Sequence, residues 1–344
     1  MRGPGLSQDV TSRDVARIAN VSQSTVSRVV NNLPSVRPDT RERVEAAMKA
    51  LGYVPNNSAR SLITRQTRLL GLIVSNITNG FYPEIIETIT STAVADGYTV
   101  IVGSAGERPA SQAAYLRLLA EQRVDGVILT STLPGEDAFE GLAASGLAIV
   151  LANRVPDGMP LDSVALDNVA AGRLATEHLI GHGRRRIAFV GGKPEASTNV
   201  GRLAGYEAAL HAAGLPVDRD LIRSDEFTAE AGARQVAAML QRTSFDAVFA
   251  ADDTVALGCL DALATAGRSV PDDVAVIGID DIAASRLRPI SLTTISSAAR
   301  EMGTTAVALL LARIRDHYDG PPRHVDIAPL LVIRSSCGLH PDSA

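Results

Sequence analysis

The chain has 344 residues, 46% of them hydrophobic and 21% charged, which is enough for two or three domains with cores of their own. Two cysteines make no disulfide framework, no apolar run reaches the length of a membrane span, and the first residues lack the apolar segment of a signal peptide, so we expect a soluble, cytoplasmic protein. Residues 1–65 hold ten Lys and Arg against five Asp and Glu, whereas residues 66–344 hold 23 against 33. A basic end on an acidic body is typical of a protein that contacts nucleic-acid phosphates with that end alone.

The first predicted element is a short helix that begins after Thr11. Asp14 stands three residues later, which is the spacing of a capping box. The apolar face of this helix is predicted to comprise Val15, Ala16, Ile18 and Ala19. Asn20 and Val21 make a tight connection, and Ser22 is a suitable N-cap for a second helix. The segment therefore predicts a helix-turn-helix.

The second helix is predicted to have an apolar inner face and a polar outer face. Its inner face comprises Val26, Val29 and Val30, and its outer face comprises Gln23, Ser24, Ser27 and Arg28. Gln pairs with adenine, Arg pairs with guanine, and Ser bonds bases or phosphates, so this outer face suits a recognition helix in the major groove. The alternative is an ordinary amphipathic hairpin with a polar surface.

A third helix is predicted to begin near Pro38 and to end at about Leu51, with Gly52 as its C-terminal stop. Val44, Ala47, Met48 and Leu51 would complete a three-helix core. The segment 58–62 that follows is too short to be a stable helix in isolation. It could become helical when it pairs with a second copy on DNA.

From residue 69 onward, short β-rich runs alternate with amphipathic helical stretches. The predicted strands are Leu69–Val74, Thr99–Val102, Gly126–Thr130, Ala148–Leu151, Ile187–Val190, Ala247–Ala250 and Val274–Ile279. The predicted helices span 81–95, 110–121, 168–181, 201–213, 229–241 and 253–265. This alternation predicts an α/β body of parallel sheets with helices on both faces, and the number of strands predicts two lobes.

Ligands of open α/β sheets bind outside the carboxyl ends of the strands, where this chain places polar groups. The predicted effector-binding residues are Asn76, Phe81, Ser104, Asn153, Arg202, Phe227, Asp252 and Asp280. Arg154, Asp253 and Asp281 stand beside them. Alternatives remain: Asp253 and Asp281 as helix caps, Arg154 as the partner of an acidic neighbour, and the two Phe side chains as core.

Enzyme chemistry is not indicated. The carboxylates of Asp252-Asp253 and Asp280-Asp281 are adjacent in sequence, so each pair splays instead of flanking a bond. No G-x-S-x-G motif or phosphate loop is present. His178 and His182 are the only histidine pair with a metal-ligand spacing, and two exposed histidines near a helix end are the simpler reading. We expect no metal and no cofactor.

Four segments match one family in order and spacing: DVARIANVSQSTVSRVVN, TRERVEAAMKALGYVPN, ARSL and GLIVSNITNGFYPEII. Through them the chain resembles the LacI–GalR family of bacterial transcriptional repressors over nearly its whole length. Arg37 departs from the family, which often has a capping serine there. The resemblance implies base-reading positions for Gln23, Ser24 and Arg28, and a hinge helix that inserts Leu62 into the minor groove. The predicted DNA-binding set is completed by Thr11, Ser22, Thr25, Ser27, Asn31, Asn56 and Ala59.

The resemblance also implies a body like a periplasmic binding protein, with crossovers between its lobes near 164–168, 294–298 and 329–331. The predicted domains are a DNA-binding domain (1–55), a hinge (56–68) and an effector-binding, dimerising body (69–344). The body divides into lobe 1 (about 69–165 and 297–329) and lobe 2 (about 166–296 and 330–344). Arg202 and Asp280 match family ligand contacts, with Asn153 and Phe81 beside them. Asp252 stands where the family commonly has Asn, which puts the usual ligand contact in doubt.

We therefore predict a homodimeric repressor that binds double-stranded DNA at a pseudo-palindromic operator under the control of a small-molecule effector. A sugar, polyol or sugar acid suits the Arg, Asp and Asn groups of the cleft. Two alternatives stay open: a regulator that responds to a nucleobase or nucleoside, and a solute-binding module of the transport type without a regulatory role. No membrane partner is expected.

Overall fold

The computed structural model describes residues 10–30, 34–53, 66–106, 108–132 and 146–338. The chain divides into two compact units, Met1–Thr67 and Arg68–Ala344. The described part of the first unit contains helices α1 (Ser12–Ala19), α2 (Gln23–Val30) and α3 (Pro38–Leu51). Four predicted DNA-binding residues lie outside the described residues, namely Asn31, Asn56, Ala59 and Leu62.

Local hydrogen bonds define the helix-turn-helix. The Asp14 carboxylate accepts hydrogen bonds from the backbone N–H of Thr11 at 3.1 Å and from its hydroxyl at 2.7 Å, which confirms the predicted start of α1. Asn20 ends α1 in the left-handed conformation with φ 51°. The Ser22 hydroxyl accepts from the N–H of Thr25 at 3.1 Å and caps α2. The buried core of the unit comprises Val15, Ala16, Ala19, Val26, Val29, Val44 and Ala47.

One predicted core residue of α1 is on the surface. The side chain of Ile18 is 52% exposed, so its assignment to the apolar face is wrong. At about 100° per residue, Ile18 lies well off the stripe through Val15, Ala16 and Ala19. Val30 is only partly buried. The Arg37 side chain makes no cap hydrogen bond, and Pro38 and Gly52 bound α3 as predicted.

The second unit contains two six-stranded sheets among its described residues. The first sheet is parallel throughout, in the order β11-β5-β4-β3-β1-β2. Its strands are β1 (Leu69–Val74), β2 (Thr99–Ser104), β3 (Gly126–Leu129), β4 (Ala148–Ala152), β5 (Asp162–Leu166) and β11 (His324–Ile327). Helices α4 (Tyr82–Ala95), α5 (Pro109–Glu121) and α10 (Ala299–Ile314) pack on it. This sheet and its helices are called lobe 1 below.

Lobe 2 contains the second sheet, in the order β12-β10-β9-β8-β6-β7, with only β12 antiparallel among its described strands. Its strands are β6 (Ile187–Gly191), β7 (Ile222–Ser224), β8 (Ala247–Ala250), β9 (Ala275–Asp280), β10 (Thr293–Ser296) and β12 (Leu330–Val332). Its helices are α6 (Asn168–Gly181), α7 (Ser197–Ala212), α8 (Ala229–Leu240) and α9 (Asp253–Thr265). Parallel strands buried between helices account for the continuous apolar runs in the sequence.

The chain passes between the lobes at residue 167, at 297–298 and at 328–329. Three parts of the predicted connections are strand instead: residues 164–166 end β5, residues 294–296 end β10, and residues 330–331 begin β12. Strands β5, β10, β11 and β12 and helix α10 were not predicted, and no bounds were predicted for β7. The strands are only three to five residues long, and α10 is buried over much of its surface, so neither shows a clear periodicity.

Candidate nucleic-acid interface and small-molecule site

Helix α2 presents a polar surface. Gln23, Ser24 and Arg28 are exposed, whereas Val26 and Val29 on the opposite side are buried. The Gln23 amide donates to the Ser12 hydroxyl at 2.9 Å, so its orientation is defined before any contact with DNA. Thr25 and Ser27 are half-buried at the edge of this face. The predicted base-reading residues therefore lie together on one side of one helix.

A pocket lies between the two lobes of the second unit. Its lining from lobe 1 is Asn79, Phe81, Tyr82, Asn153 and Arg154. Its lining from lobe 2 is Thr198, Arg202, Phe227, Asp252 and Asp280. Asn153 follows β4, Asp252 follows β8, and Asp280 is the last residue of β9. The carboxyl ends of parallel strands thus bring these side chains to the same cleft, as the sequence predicts.

Arg202 is a buried charge of the pocket that donates two hydrogen bonds to neighbouring residues. It is 3% exposed, its Nε donates to Asn168 Oδ1 at 2.9 Å, and its Nη1 donates to the Ala251 carbonyl at 2.5 Å. Its Nη2 lies 3.8 Å from Asp280 Oδ1. Burial lowers the pKa of Arg202, and the neighbouring carboxylates Asp280 and Asp252 oppose that shift.

Asp280 has a backbone φ of 120°, which L side chains rarely adopt. Burial raises the pKa of its carboxyl group well above the ordinary value, although Arg202 opposes the shift. The Ser297 hydroxyl, which donates to the Asp280 backbone carbonyl at 3.5 Å, also interacts with the Asp280 carboxyl group and opposes the rise in its pKa. A strained backbone thus holds a buried acceptor at the wall of the pocket.

Two further groups shape the pocket. The Thr198 hydroxyl is buried and has no hydrogen-bond partner among the described residues. The Arg154 guanidinium lies over the Phe227 ring, 4.4 Å from its centroid. A Cβ at Gly192 would lie 2.3 Å from carbons of that ring, so Phe227 packs directly on the glycine backbone. The Phe227 ring is therefore covered by Gly192 and by Arg154.

Asp252, not Asp253, caps α9. The Asp252 carboxylate accepts from the N–H of Val255 at 2.7 Å, and Asn79 donates to its other oxygen at 2.8 Å. Burial raises the pKa of Asp252, and both hydrogen bonds oppose the shift. Asp281, the other proposed cap, instead pairs with Arg286 at 3.0 Å and with Arg334.

Asp253 is the first residue of α9 and is fully buried. It accepts from the hydroxyls of Thr294 at 2.6 Å and Ser285 at 2.7 Å and from the N–H of Ile282 at 3.0 Å. Burial raises its pKa to about 7 against the effect of these bonds. Asp253 therefore ties α9 to the segment that follows Asp280.

Two predicted effector contacts do not line this pocket. The Asn76 side-chain oxygen accepts from the N–H and hydroxyl of Thr78 at 3.0 and 2.7 Å, so Asn76 stabilises its own turn. Ser104 ends β2, the edge strand of lobe 1. Sequence reasoning missed Asn79, Tyr82 and Thr198. Asn79 accepts from the N–H of Phe81 at 3.0 Å in a turn just before α4, and the Asn79-Gly80 pair is a sequence signal for such a turn.

No helix of the described residues is long and apolar enough to cross a membrane. His178 and His182 are half-buried, with buried Nε2 atoms, and not exposed as expected. Their rings lie 4.6 Å apart, and no third potential metal ligand joins them among the described side chains.

A helix-turn-helix unit with an exposed Gln-Ser-Arg face, followed by a two-lobed α/β body with a polar pocket, defines a ligand-binding DNA regulator. Residues 11–56 match the family model "Bacterial regulatory proteins, lacI family", and residues 176–337 match "Periplasmic binding protein-like domain". The chain belongs to the LacI family of bacterial regulatory proteins and is a DNA-binding transcriptional regulator. The predicted family and fold class are confirmed.

The chain is 36% identical to the transcriptional repressor PurR of Vibrio campbellii over 330 residues. This alignment covers 95% of this chain and 98% of the relative. It is 37% identical to the transcriptional regulator CelR of Thermobifida fusca over 94% and 96% of the two chains. The lac repressor dimer bound to operator and the anti-inducer ONPF is a similar structure (TM-score 0.85, 31% identity, 96% of this chain and 100% of that one). The CelR–cellobiose complex is another (TM-score 0.72, 34% identity, 95% and 99%).

Proposed function

We propose that this regulator is a homodimeric repressor whose two α2 helices read the half-sites of a pseudo-palindromic operator. Gln23, Ser24 and Arg28 contact bases, while Ser22, Thr25 and Ser27 contact phosphates or support the helix. The exposed polar face of α2 supports this assignment, as does the likeness to a lac repressor dimer bound to operator. Thr11, Asn31, Asn56, Ala59 and Leu62 complete the proposed interface.

The effector that we propose is a small molecule rich in hydroxyl groups: a sugar, a polyol or a sugar acid. The observation that carries the proposal is the pairing of the buried Asp280 carboxylate with the donor Arg202, 3.8 Å away, in the lining of the pocket. A carboxylate accepts from two neighbouring hydroxyls, and a guanidinium donates to their oxygens. Phe81, Asn153, Phe227 and Asp252 are the remaining proposed contacts, and Thr198 adds a hydroxyl.

Two further points favour a hydroxylated effector over a flat nucleobase. A base gains much of its affinity from stacking on an open aromatic ring. Of the three rings that line the pocket, Phe227 is covered by Arg154 and Gly192, and Phe81 and Tyr82 pack edge to face on each other. The related CelR structure is a complex with cellobiose.

A thermal-shift screen of the purified full chain tests the effector class. The panel contains sugars, polyols, sugar acids, nucleobases and nucleosides. A ligand at 100 times its Kd adds about 2.7 kcal/mol to the unfolding free energy, so a hydroxylated ligand should raise the Tm by several degrees. The shift should vanish in Asp280→Ala and persist in Asp261→Ala, which removes an exposed carboxylate of α9. A shift by nucleobases alone would refute the proposed class.

A further inference from the structure

A side-chain hydrogen bond joins the starts of the two helices of the helix-turn-helix. The Nε2 of Gln23 donates to the Ser12 hydroxyl oxygen at 2.9 Å, across 11 positions of sequence. Ser12 is the first residue of α1, and Gln23 is the first residue of α2. The exposed Gln23 side chain is therefore bonded to the half-buried Ser12 of the other helix.

Both ends of this bond are anchored. The capping box of Thr11 and Asp14 fixes the start of α1. The Ser22 hydroxyl fixes the start of α2, since it accepts from the Thr25 N–H at 3.1 Å. The buried residues that pack the two helices together are Val15, Ala16, Ala19, Val26 and Val29. Ser12 is thus a fixed acceptor for the amide of Gln23.

The bond to Ser12 decides which groups of Gln23 are available to DNA. A glutamine amide carries two hydrogens and one acceptor oxygen, and Ser12 takes one of the hydrogens. One N–H and the oxygen remain, and no group of the described residues bonds them. In the major groove adenine presents an acceptor beside a donor, whereas guanine presents two acceptors. The remaining groups of Gln23 therefore match adenine and not guanine.

Without Ser12 the amide would regain both hydrogens and its rotational freedom. An NH₂ group with two free hydrogens can donate to both acceptors of guanine, so the distinction from adenine would weaken. Ordering a long side chain on binding also lowers the affinity, by about two- to tenfold. A glutamine that Ser12 already holds avoids part of this loss.

We propose that Ser12 is a positioning residue for base reading, which holds the Gln23 amide so that α2 selects adenine over guanine at one position of each half-site. The inference rests on the proposed function, because it takes Gln23 as a base-reading residue. Ser12 acts through Gln23 and makes no base contact of its own. Its replacement therefore lowers selectivity at that position, and the effect disappears when Gln23 is also replaced.

Selection from a pool of random duplexes by the purified full chain identifies the position that Gln23 reads. It is the position at which the wild type and Gln23→Ala differ in base preference, and we expect adenine there in the wild type. Any other preferred base would overturn the proposal. If the wild type enriches no duplex at all, the proposed function fails together with this inference.

Fluorescence anisotropy then compares a selected duplex with one in which G·C replaces A·T at that position. We expect Ser12→Ala to reduce the preference for adenine about two- to tenfold, and Ser12→Thr, which keeps a hydroxyl, to retain it. Ser35→Ala makes the same chemical change at an exposed turn of the same unit and should leave the preference unchanged. Because the preference is a ratio of two affinities, a smaller folded fraction does not alter it.

The double variant Ser12→Ala/Gln23→Ala separates positioning from direct contact. In the Gln23→Ala background, Ser12→Ala should cause no further change in the preference. A further change there would mean that Ser12 contacts the DNA itself and would overturn the proposal. An unchanged preference in Ser12→Ala alone would also overturn it, while the role of α2 in reading the operator would stand.

Discussion

Arg202 and Asp280 face each other across 3.8 Å, and each side chain is more than nine-tenths buried. The two side chains differ in their hydrogen-bond partners. Arg202 donates hydrogen bonds to Asn168 and to the Ala251 carbonyl, whereas the polar neighbours of the Asp280 carboxyl group are Arg202, beyond hydrogen-bond distance, and the Ser297 hydroxyl. At 3.8 Å the pair is an ion pair without a direct hydrogen bond. A ligand with adjacent hydroxyls can add hydrogen bonds to Asp280 without breaking those of Arg202 to Asn168 and Ala251.

Replacing Asp280 by Ala should move the effector response to much higher ligand concentrations and leave DNA affinity unchanged. Loss of hydrogen bonds to a charged group costs about 1.5–3 kcal/mol each, which lowers effector affinity by roughly 10- to 100-fold. Fluorescence anisotropy of labelled operator, titrated with the ligand from the thermal-shift screen, measures both quantities. Asp261→Ala is the matched control. An unchanged response in Asp280→Ala would place the effector elsewhere.

Arg28→Ala should remove most operator preference and leave effector binding intact. The exposed Arg28 lies on the polar face of α2, and a bidentate contact between Arg and a base is worth about 1–3 kcal/mol of discrimination. Competition between operator and random DNA gives the specificity ratio. Arg43→Ala removes the same charge from the exposed side of α3 and should weaken both DNAs alike or neither. The same ratio in both variants would contradict the role of α2.

Asp253 should make the folded state less stable as the pH rises from about 4 to about 7. Its pKa is about 7 in the folded chain and about 3.9 in an unfolded one, so only the folded state holds the proton in this window. The unfolding free energy should therefore fall by up to roughly 1.4 kcal/mol per pH unit as the pH rises through this window. The stabilisation by protonated Asp253 is complete only below about pH 4.

Asp253→Asn tests this pH dependence because an amide mimics the protonated acid. Its NH₂ group can donate to the Thr294 hydroxyl while its oxygen accepts from Ser285 and Ile282. The difference in unfolding free energy between variant and wild type, from urea unfolding at pH 5 and pH 7.5, should move in favour of the variant at the higher pH. Asp261→Asn should show no such trend. A pH-independent difference for Asp253→Asn would refute the shifted pKa.

Asp162→Asn should destabilise lobe 1 by about 3–5 kcal/mol, the typical effect of breaking a buried ion pair. The buried Asp162 accepts from Arg313 at 2.7 Å and from Arg323 at 2.5 Å, and both guanidiniums lie over the Tyr318 ring. Burial alone would raise the pKa of Asp162, but the hydrogen bonds from the two arginines outweigh it and hold the pKa well below its usual range.

Because that pKa is depressed, the stabilisation by Asp162 is complete above about pH 4 and is lost as the pH falls further. Urea unfolding at pH 7 measures the effect of the substitution, with the exposed Asp157→Asn as control. A decrease of less than about 1 kcal/mol in the unfolding free energy would contradict a stabilising role of the ion pairs of Asp162 with Arg313 and Arg323. The pH range in which Asp162 changes the unfolding free energy lies below the range of Asp253, so the two contributions can be measured separately.

Local chemistry made the helix-turn-helix predictable from the sequence. The Thr11–Asp14 cap and the Ser22 cap act over three residues, and the buried Val26 and Val29 share one face of α2. The long apolar runs likewise identified the central strands of both sheets. Edge strands such as β12 carry too few apolar residues to be distinguished from loops.

The details of the pocket could not be predicted because they depend on contacts between distant segments. Asn76 and Asn79 both follow β1, and only the folded turn shows that Asn76 faces Thr78 while Asn79 reaches Asp252, 173 residues away. Asp252 and Asp253 are adjacent in the sequence, so the sequence alone does not indicate which of them caps α9. Their roles follow from the positions of Val255 and Thr294 in three dimensions.

Selection of DNA from the source genome by the purified full chain tests the regulatory account most directly. Bound fragments are sequenced with and without the ligand from the thermal-shift screen. We expect enrichment of a few fragments with inverted half-sites about one helical turn apart, and a change in their recovery when the ligand is added. Two results would contradict the regulatory account. In one, no fragment is recovered above background under either condition. In the other, the same fragments are recovered in the same amounts with and without the ligand.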